Sequence, residues 1–457
     1  REEGMTRARG LLALVALAAL FASASALTEA HMGCGSDTYV YGYPNPNEVL
    51  DGNAQMQLVR TATNGTLYQV TAPNGEDPAN AQTFYVAHVW GSPYQQGYAY
   101  GTILKQEANE FVDKAWTYIA VQLEEVLIPY LPDWVAVMIT NIGLDLALDY
   151  VYEITKDYTD PDFYEEMQGM CDASGVDYLK TRRLHMLPGL TKGACSMFGV
   201  WGGAVPEGGS LLQLRALDWD MDGPFVDYSC ITVYHPDPTN STQGHAWLNL
   251  GFVGFIGALT GMSEQQLAIS EIGVSYPDAS WGPPQDMVPI PGVPFVVLLR
   301  DILKYDTTLD DSIARMASAE RTCNLILGVG DGKKGEFRAF EYGPYVFNVF
   351  NDENMQPLAE WHPRMADTVY YGMDWDCPSF NTVLSGQLQM YYGEITPEVA
   401  VHNISSVEQS GTNHLAIYDL TKMDIYAAFA KPHASTGPLN AYNRQFTKFN
   451  VTALFQE

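Results

Sequence analysis

Apolar and polar positions alternate with period two in CSMFGVW (195–201) and again in SLLQLRALDW (210–219), with the turn-forming run GGAVPEGG between them. The pattern predicts an antiparallel hairpin with Cys195 at one end and Arg215, Asp218 and Asp220 on the returning strand. Period two places Arg215 and Asp218, three residues apart, on opposite faces. Both reach Cys195 only where the strand ends, bulges or twists.

The same reading along the chain predicts strands at LYQVTAP, TFYVAHVWG, YSCITVYHP, HAWLNLGFVGFIGALTGM and QLAISEIGVS, and hairpins at RTCNLILGVGD/EFRAFEYG and HLAIYDLTKMDIYAAFA. GSPYQQGYAYG (91–101) reads as a strand-to-helix turn followed by packing glycines. Residues 102–158 carry helical spacing, broken at Pro129 and Pro132. The second of these helices, DWVAVMITNIGLDLALDYVYEI, is apolar all round except at Asp145 and Asp149, which points to buried core or to a lipid-contacting face. Residues 160–190 add one or two more helices. PFVVLLRDILKY is an amphipathic helix, and Thr308 with Asp311 forms a capping box for the next. Residues 27–65 are polar and without periodicity, and read as a poorly ordered arm. Strand runs separated by a helix pair fit an α+β fold of two sheets sandwiched by helices in four layers.

Composition narrows the function. Of 457 residues, 47% are hydrophobic and 12% aromatic, ample for a packed core, while the formal net charge is −30. That charge excludes nucleic acid and anionic membrane as electrostatic partners and reads as a solubility feature of an acidic or salty compartment. Residues 5–26 have the form of a secretory leader: Arg7 and Arg9, then LLALVALAALF, then small residues. Export gives meaning to the sequons at Asn64, Asn240, Asn403 and Asn450, each expected at the surface. The destination is the extracellular space or a lysosomal or endosomal lumen. Six cysteines show no zinc-type spacing; with Cys195 free, at most two disulfides remain among the other five. Asp218, Asp220, Asp222 and Gly223 mimic the start of a calcium loop, but Pro224 and Ser229 stand where that loop needs a ligand and a glutamate. No metal or cofactor is expected.

Gly-Ala-Cys (193–195), a turn, and then Leu-Arg-x-x-Asp-Trp-Asp (214–220) resemble the N-terminal-nucleophile cysteine amidohydrolases and acyltransferases. This family includes acid ceramidase, choloylglycine hydrolase and penicillin acyl-transfer enzymes; the likeness is strongest to acid-ceramidase-like proteins of amoebae and other protists. It covers most of the chain after about residue 80, where GSPYQQGYAYG (91–101) also resembles the family's Gly-x-x-x-x-x-Gly entry to the first long helix. It implies an αββα N-terminal-nucleophile hydrolase sandwich, cut by its own thiol between Ala194 and Cys195. The pieces would be an N-terminal chain, 27–194, mostly helical after about residue 102, and a C-terminal chain, 195–457, holding the catalytic core. No linker-like composition marks the junction, so the two are expected to stay packed together.

The resemblance further implies that Cys195 is the nucleophile and its freed α-amine the base. Asp218 would hold that amine, and Arg215 would keep the thiol anionic and orient the acyl carbonyl. Asn324 matches the family's oxyanion donor, and Glu271, in LTGMSEQQLAISE, a glutamate that approaches the site. The family's second arginine has no counterpart that can be placed. The expected substrate is a small-molecule N-acyl amide or lipid, with at most transient contact to a lipid surface. LNLGFVGFIGALTGM sets glycines and aromatics near the site, which suits an apolar slot. Alternatives are transfer of the acyl group to an amine acceptor, a phospholipase B-like deacylation, or a secreted glycoprotein without catalysis.

Overall fold

The alternating segment around Cys195 becomes the inner part of a seven-stranded sheet. The computed structural model describes residues 39–122, 143–189, 194–274 (except 220, 222 and 238), 279–282, 290–431 (except 374 and 376) and 440–457. The leader, Cys34, the Pro129/Pro132 break, Gly193, Asp220 and Asp222 lie outside these residues.

The first strands are β1 (Leu50–Asp51), β2 (Gln57–Ala62), β3 (Gly65–Ala72) and β4 (Gln82–Trp90). Helices α1 (Pro93–Ile103), α2 (Lys105–Gln122), α3 (Leu144–Thr155), α4 (Pro161–Ser174) and α5 (Tyr178–Met186) follow. Then come β5 (Ala194–Val200), β6 (Leu212–Asp218), β7 (Ser229–His235), β8 (Trp247–Phe252), β9 (Gly261–Ser263) and β10 (Leu267–Gly273). Helices α6 (Phe295–Tyr305) and α7 (Leu309–Ser318) precede β11 (Leu325–Asp331), β12 (Glu336–Tyr342), β13 (Phe347–Phe350) and β14 (Thr368–Tyr371). Helix α8 (Pro378–Met390) and a short helical stretch ending at Glu408 lead to β15 (His414–Asp419), β16 (Asp424–Phe429) and β17 (Thr447–Asn450).

One sheet runs β1-β17-β16-β15-β6-β5-β14; the other has ten strands in the order β13-β12-β11-β10-β9-β8-β7-β4-β3-β2. They lie face to face. Gln213 Nε2 donates to Ser270 Oγ at 2.8 Å between them, and a Cβ on Gly199 would strike Phe337 Cγ at 2.1 Å. Helices α1 and α6 cover the ten-stranded sheet, while α8 and the stretch to Glu408 cover the seven-stranded one. The result is the expected four-layer α+β sandwich.

The part before Cys195 is built into this frame. β4 pairs with β7 in parallel and β1 with β17 in parallel. On α4, Glu166 forms a buried ion pair with Arg300 of α6. Helices α1 and α4 approach so closely that a Cβ on Gly97 would fall 1.9 Å from the Glu166 carbonyl oxygen and one on Gly101 2.3 Å from that of Met170, so these two are packing positions, while Gly91, at φ +100°, makes the turn.

Three expectations need correction. The 27–65 region is not wholly an irregular arm: Gln57–Ala62 is an edge strand on β3, and buried Asn45 donates to the backbone carbonyls of Tyr442 and Arg444. The side chains of β2 are mostly exposed on both faces, so it shows no alternation to read. Helix α3 is one-sided rather than apolar core: Leu146 is exposed, and Asp145 and Asp149 pair with Arg183, Asp149 also with Arg182. HAWLNLGFVGFIGALTGM forms strand only at β8 and β9, and 253–260 between them is loop.

Candidate active site

β5 and β6 pair without a bulge: Ala194 faces Asp218, Cys195 faces Leu217, Ser196 faces Ala216 and Met197 faces Arg215. Directly opposed residues in an antiparallel pair share a face. Cys195, Met197, Leu217 and Arg215 therefore point between the sheets, and Ala194, Ser196 and Asp218 toward the outer helical layer. No twist or bulge reconciles Arg215 with Asp218; β6 simply ends at Asp218.

On the inner face, Arg215 is fully buried and donates to the Leu259 carbonyl at 3.1 Å, to the Ala216 carbonyl, and to Glu271 Oε2 at 3.1 Å. Glu271 comes from β10 on the facing sheet. The ion-pair partner of Arg215 is thus Glu271, and a salt bridge with Asp218 is ruled out by the opposite faces. The guanidinium also reaches the Cys195 sulfur. Burial pushes this thiol up to about 12; Arg215 pulls it down, and Glu271 and Asp218 add to the rise. Burial thus opposes a thiolate here, outweighing a cation already engaged by Glu271.

On the outer face, Asp218 is held by the loop after Glu408. Its Oδ1 accepts from the Gly411 and Thr412 N–H groups, both at 2.9 Å, and its Oδ2 from Ser410 Oγ and from Gly411 N–H at 3.0 Å. Three donors, the Gly411 N–H shared between both oxygens, make four contacts to the carboxylate. Burial still raises its pKa, against these donors. Ala194 is exposed while Cys195 is fully buried, so the boundary between solvent and interior falls on the Ala194–Cys195 peptide.

Asn324 stands one residue before β11. It is buried, its Oδ1 has no hydrogen-bond partner, and its carbonyl accepts from Val274 N–H at 3.2 Å. Leu325, the next residue, pairs with Gly273, two residues beyond Glu271. The structure thus joins Cys195, Arg215 and Glu271 directly, sets Asp218 across the hairpin, and places Asn324 at the adjacent strand end. Sequence reading missed Glu408, which lies buried beneath Ser196. Its only signal was the Ser-Gly-Thr-Asn turn that follows, which marks a loop and no chemistry.

Next to this cluster lies a cavity of about 740 Å³, open solvent at its mouth included. Phe252, Gly254, Phe255 and Leu259, from the predicted slot segment, form one wall; Phe111 and Ile119 of α2 and Leu184 of α5 form another. Leu217, the cross-strand partner of Cys195, lines it, and Glu271 is the one charged residue in the wall among the described residues. Cys171, Cys195 and Cys230 are free thiols, and Cys377 is disulfide-bonded. Among the sequons, Asn240 and Asn450 are exposed and Asn64 and Asn403 half-buried. No group of three metal-ligating side chains occurs among the described residues.

No family model matches the chain. It is 33% identical over 421 residues to Protein dcd1B of Dictyostelium discoideum, which covers 89% of this chain and 80% of that protein. It is 32% identical over 448 residues to Protein dcd1A of the same organism, covering 94% and 96%. Among solved structures it is similar to a Caenorhabditis elegans N-acylethanolamine-hydrolyzing acid amidase ortholog, with a TM-score of 0.36 and 12% identity, over 55% of this chain and 98% of that one.

Proposed function

We propose that this chain, which belongs to the family of the Dictyostelium discoideum proteins dcd1A and dcd1B, is a self-processing cysteine amidohydrolase acting on N-acyl amides. The observation that carries the reading is the meeting of Cys195, Arg215 and Glu271 beside an apolar cavity, at the point where the chain passes from exposed Ala194 to a buried thiol.

In the processing step the Cys195 sulfur adds to the Ala194 carbonyl, and the C–N bond breaks as nitrogen takes the thiol proton. Water then hydrolyses the thioester, leaving an Ala194 carboxylate and a free α-amine on Cys195. In turnover that amine takes the thiol proton and sulfur attacks the substrate amide. The amine product leaves with the proton, and water releases the acyl group as acid. A base is needed because the buried thiol is protonated. Arg215 orients the carbonyl, Asn324 donates its amide to the oxyanion, Glu271 holds Arg215, and Asp218 fixes the strand end beside the new amine. The apolar wall favours an acyl chain, with a small amine or sphingoid-like head.

The two pieces stay together through the β4–β7 ladder and the Glu166–Arg300 pair, which bridge the cut. The leader-like 5–26 segment and the exposed sequons Asn240 and Asn450 support a secretory or lysosomal location. The test is N-terminal sequencing of purified protein together with a panel of N-acyl amides, matched esters and phospholipids, with Cys195→Ala as blank. A second N-terminus at Cys195 and thiol-dependent amide cleavage are expected. A fully active uncut chain, or activity confined to phospholipid esters, would overturn the reading.

A further inference from the structure

Beneath the nucleophile strand, on the outer face of the seven-stranded sheet, lies a group of buried polar side chains that the chemistry above does not use. Glu408 is 1% exposed and Ser196 fully buried. Ser196 Oγ lies beside the Glu408 carboxyl, yet neither completes a hydrogen bond of normal geometry. Two residues on, Ser410 begins the run that wraps Asp218. Two carboxyls therefore share one buried cluster, with unequal support: Asp218 is held by three donors and Glu408 by none of normal geometry. Two carboxylates so placed do not both ionise; the better-donated one keeps the charge and the other keeps a proton.

We infer that Glu408 is a positioning residue for the reaction at Cys195: its neutral, protonated carboxyl supports Ser196, the residue bonded to the nucleophile, and leaves Asp218 as the one charged carboxylate of this cluster among the described residues. This rests on Cys195 being the nucleophile. Burial pushes Glu408 up to about 8, with Ser196 pulling it down and Asp218 adding to the rise. The other groups around it do not replace that proton. Helix α8, packed against the stretch ending at Glu408, carries no ionisable residue. His402, on the preceding turn, places Nδ1 on the Asn45 carbonyl at 2.8 Å, and Tyr442 meets the loop through its backbone at Gly411. Arg215 and Cys195 lie on the far face of the sheet, and Arg215 is engaged by Glu271. Ionising Glu408 would put a second charge beside Asp218 with no cation among the described residues to meet it. The cluster would have to admit water, displacing Ser196 and the 410–412 loop together.

The test is the pH profile of kcat/KM for parent and Glu408→Gln proteins, with an infrared pH titration of the protonated carboxyl band. In the parent, the alkaline limb should begin near pH 8, and a carboxyl band absent from Glu408→Gln should vanish over the same range. In Glu408→Gln the alkaline limb should move up by one unit or more, a gain of about tenfold in relative rate on the alkaline side. A limb that coincides with the parent's, or a parent lacking a Glu408-dependent band at pH 7, overturns the inference. The band does not depend on turnover, so it decides the matter even if the variant fails to process. Amidase activity surviving in Cys195→Ala would instead sink the functional reading.

Discussion

Cys195 and Asp218 sit on opposite faces of one hairpin, a single ladder step apart: Cys195 pairs with Leu217, and Asp218 with Ala194. The carboxylate therefore flanks the Ala194–Cys195 peptide rather than the sulfur, and it anchors the 410–412 loop. Asp218→Asn replaces a carboxylate held by three donors with an amide that has a single acceptor oxygen. The expected outcome is self-cleavage slowed by about 100-fold or more and stability lowered by about 2 kcal/mol. A gel time course and a denaturant melt measure the two effects. Cleavage at the parent rate would reduce Asp218 to a loop anchor.

Arg215 donates in three directions, to Leu259, Ala216 and Glu271. A lysine ammonium does not reproduce that planar fork, and Glu271 would stay buried beside a poorer partner. Arg215→Lys is expected to cost about 3 kcal/mol of stability and to abolish cleavage. Adding Glu271→Gln should recover part of the stability but no activity. Strictly additive losses in the double-mutant cycle would mean that the two side chains do not interact as drawn.

Much of this frame was legible in the sequence wherever a local rule decides the outcome. The β5–β6 hairpin follows from alternation and a Gly/Pro turn. The α7 cap follows from Thr308 and Asp311, whose side chains and backbone exchange hydrogen bonds at 3.1 Å and 2.9 Å. What stayed hidden depends on distant partners. Period two separated Arg215 from Asp218 correctly, but nothing local told that Glu271 on another sheet would take the guanidinium. β14 was not foreseen, since its partner β5 lies far earlier in the chain. Glu408 is an ordinary helix-end carboxylate until burial beneath Ser196 sets it apart.

Buried ionisable groups also set how stability varies with pH. Burial depresses His88, His185 and His245 to about 4 and His235 to about 3, and holds His362 and His414 below their ordinary values. Burial raises Asp301 to about 7 and Glu408 to about 8, and raises Asp218 and Asp306 as well. As pH falls from about 6.5 to about 4.5 these six histidines gain protons in the unfolded chain, more than the four buried carboxyls retain in the native state. The balance favours the unfolded state, so stability rises with pH through this range. Above about pH 6.5 the histidines are neutral in both states; the native carboxyl protons remain, and stability falls until about pH 8. Melting temperatures across this range should peak near pH 6.5. A steady climb to alkaline pH would contradict the assignment of neutral buried carboxyls.

The cavity makes the most direct statement about substrate. Leu184 of α5 lines it from the N-terminal part of the chain, on an element separate from the strands that carry Cys195, Arg215 and Glu271. A tryptophan there would fill space that an acyl chain would otherwise take. In the parent, each methylene added to the acyl group should raise kcat/KM by about fourfold, the worth of about 0.8 kcal/mol of buried apolar surface, until the slot is full. In Leu184→Trp the climb should stop about two or three carbons earlier, while short-chain substrates and the rate of self-cleavage stay within about twofold of the parent. That pattern separates a slot that measures chain length from a general loss of packing, which would lower every substrate equally. Identical length profiles in the two proteins would mean that the acyl chain lies elsewhere, and the cavity would then be a packing defect between α2, α5 and the 252–259 loop.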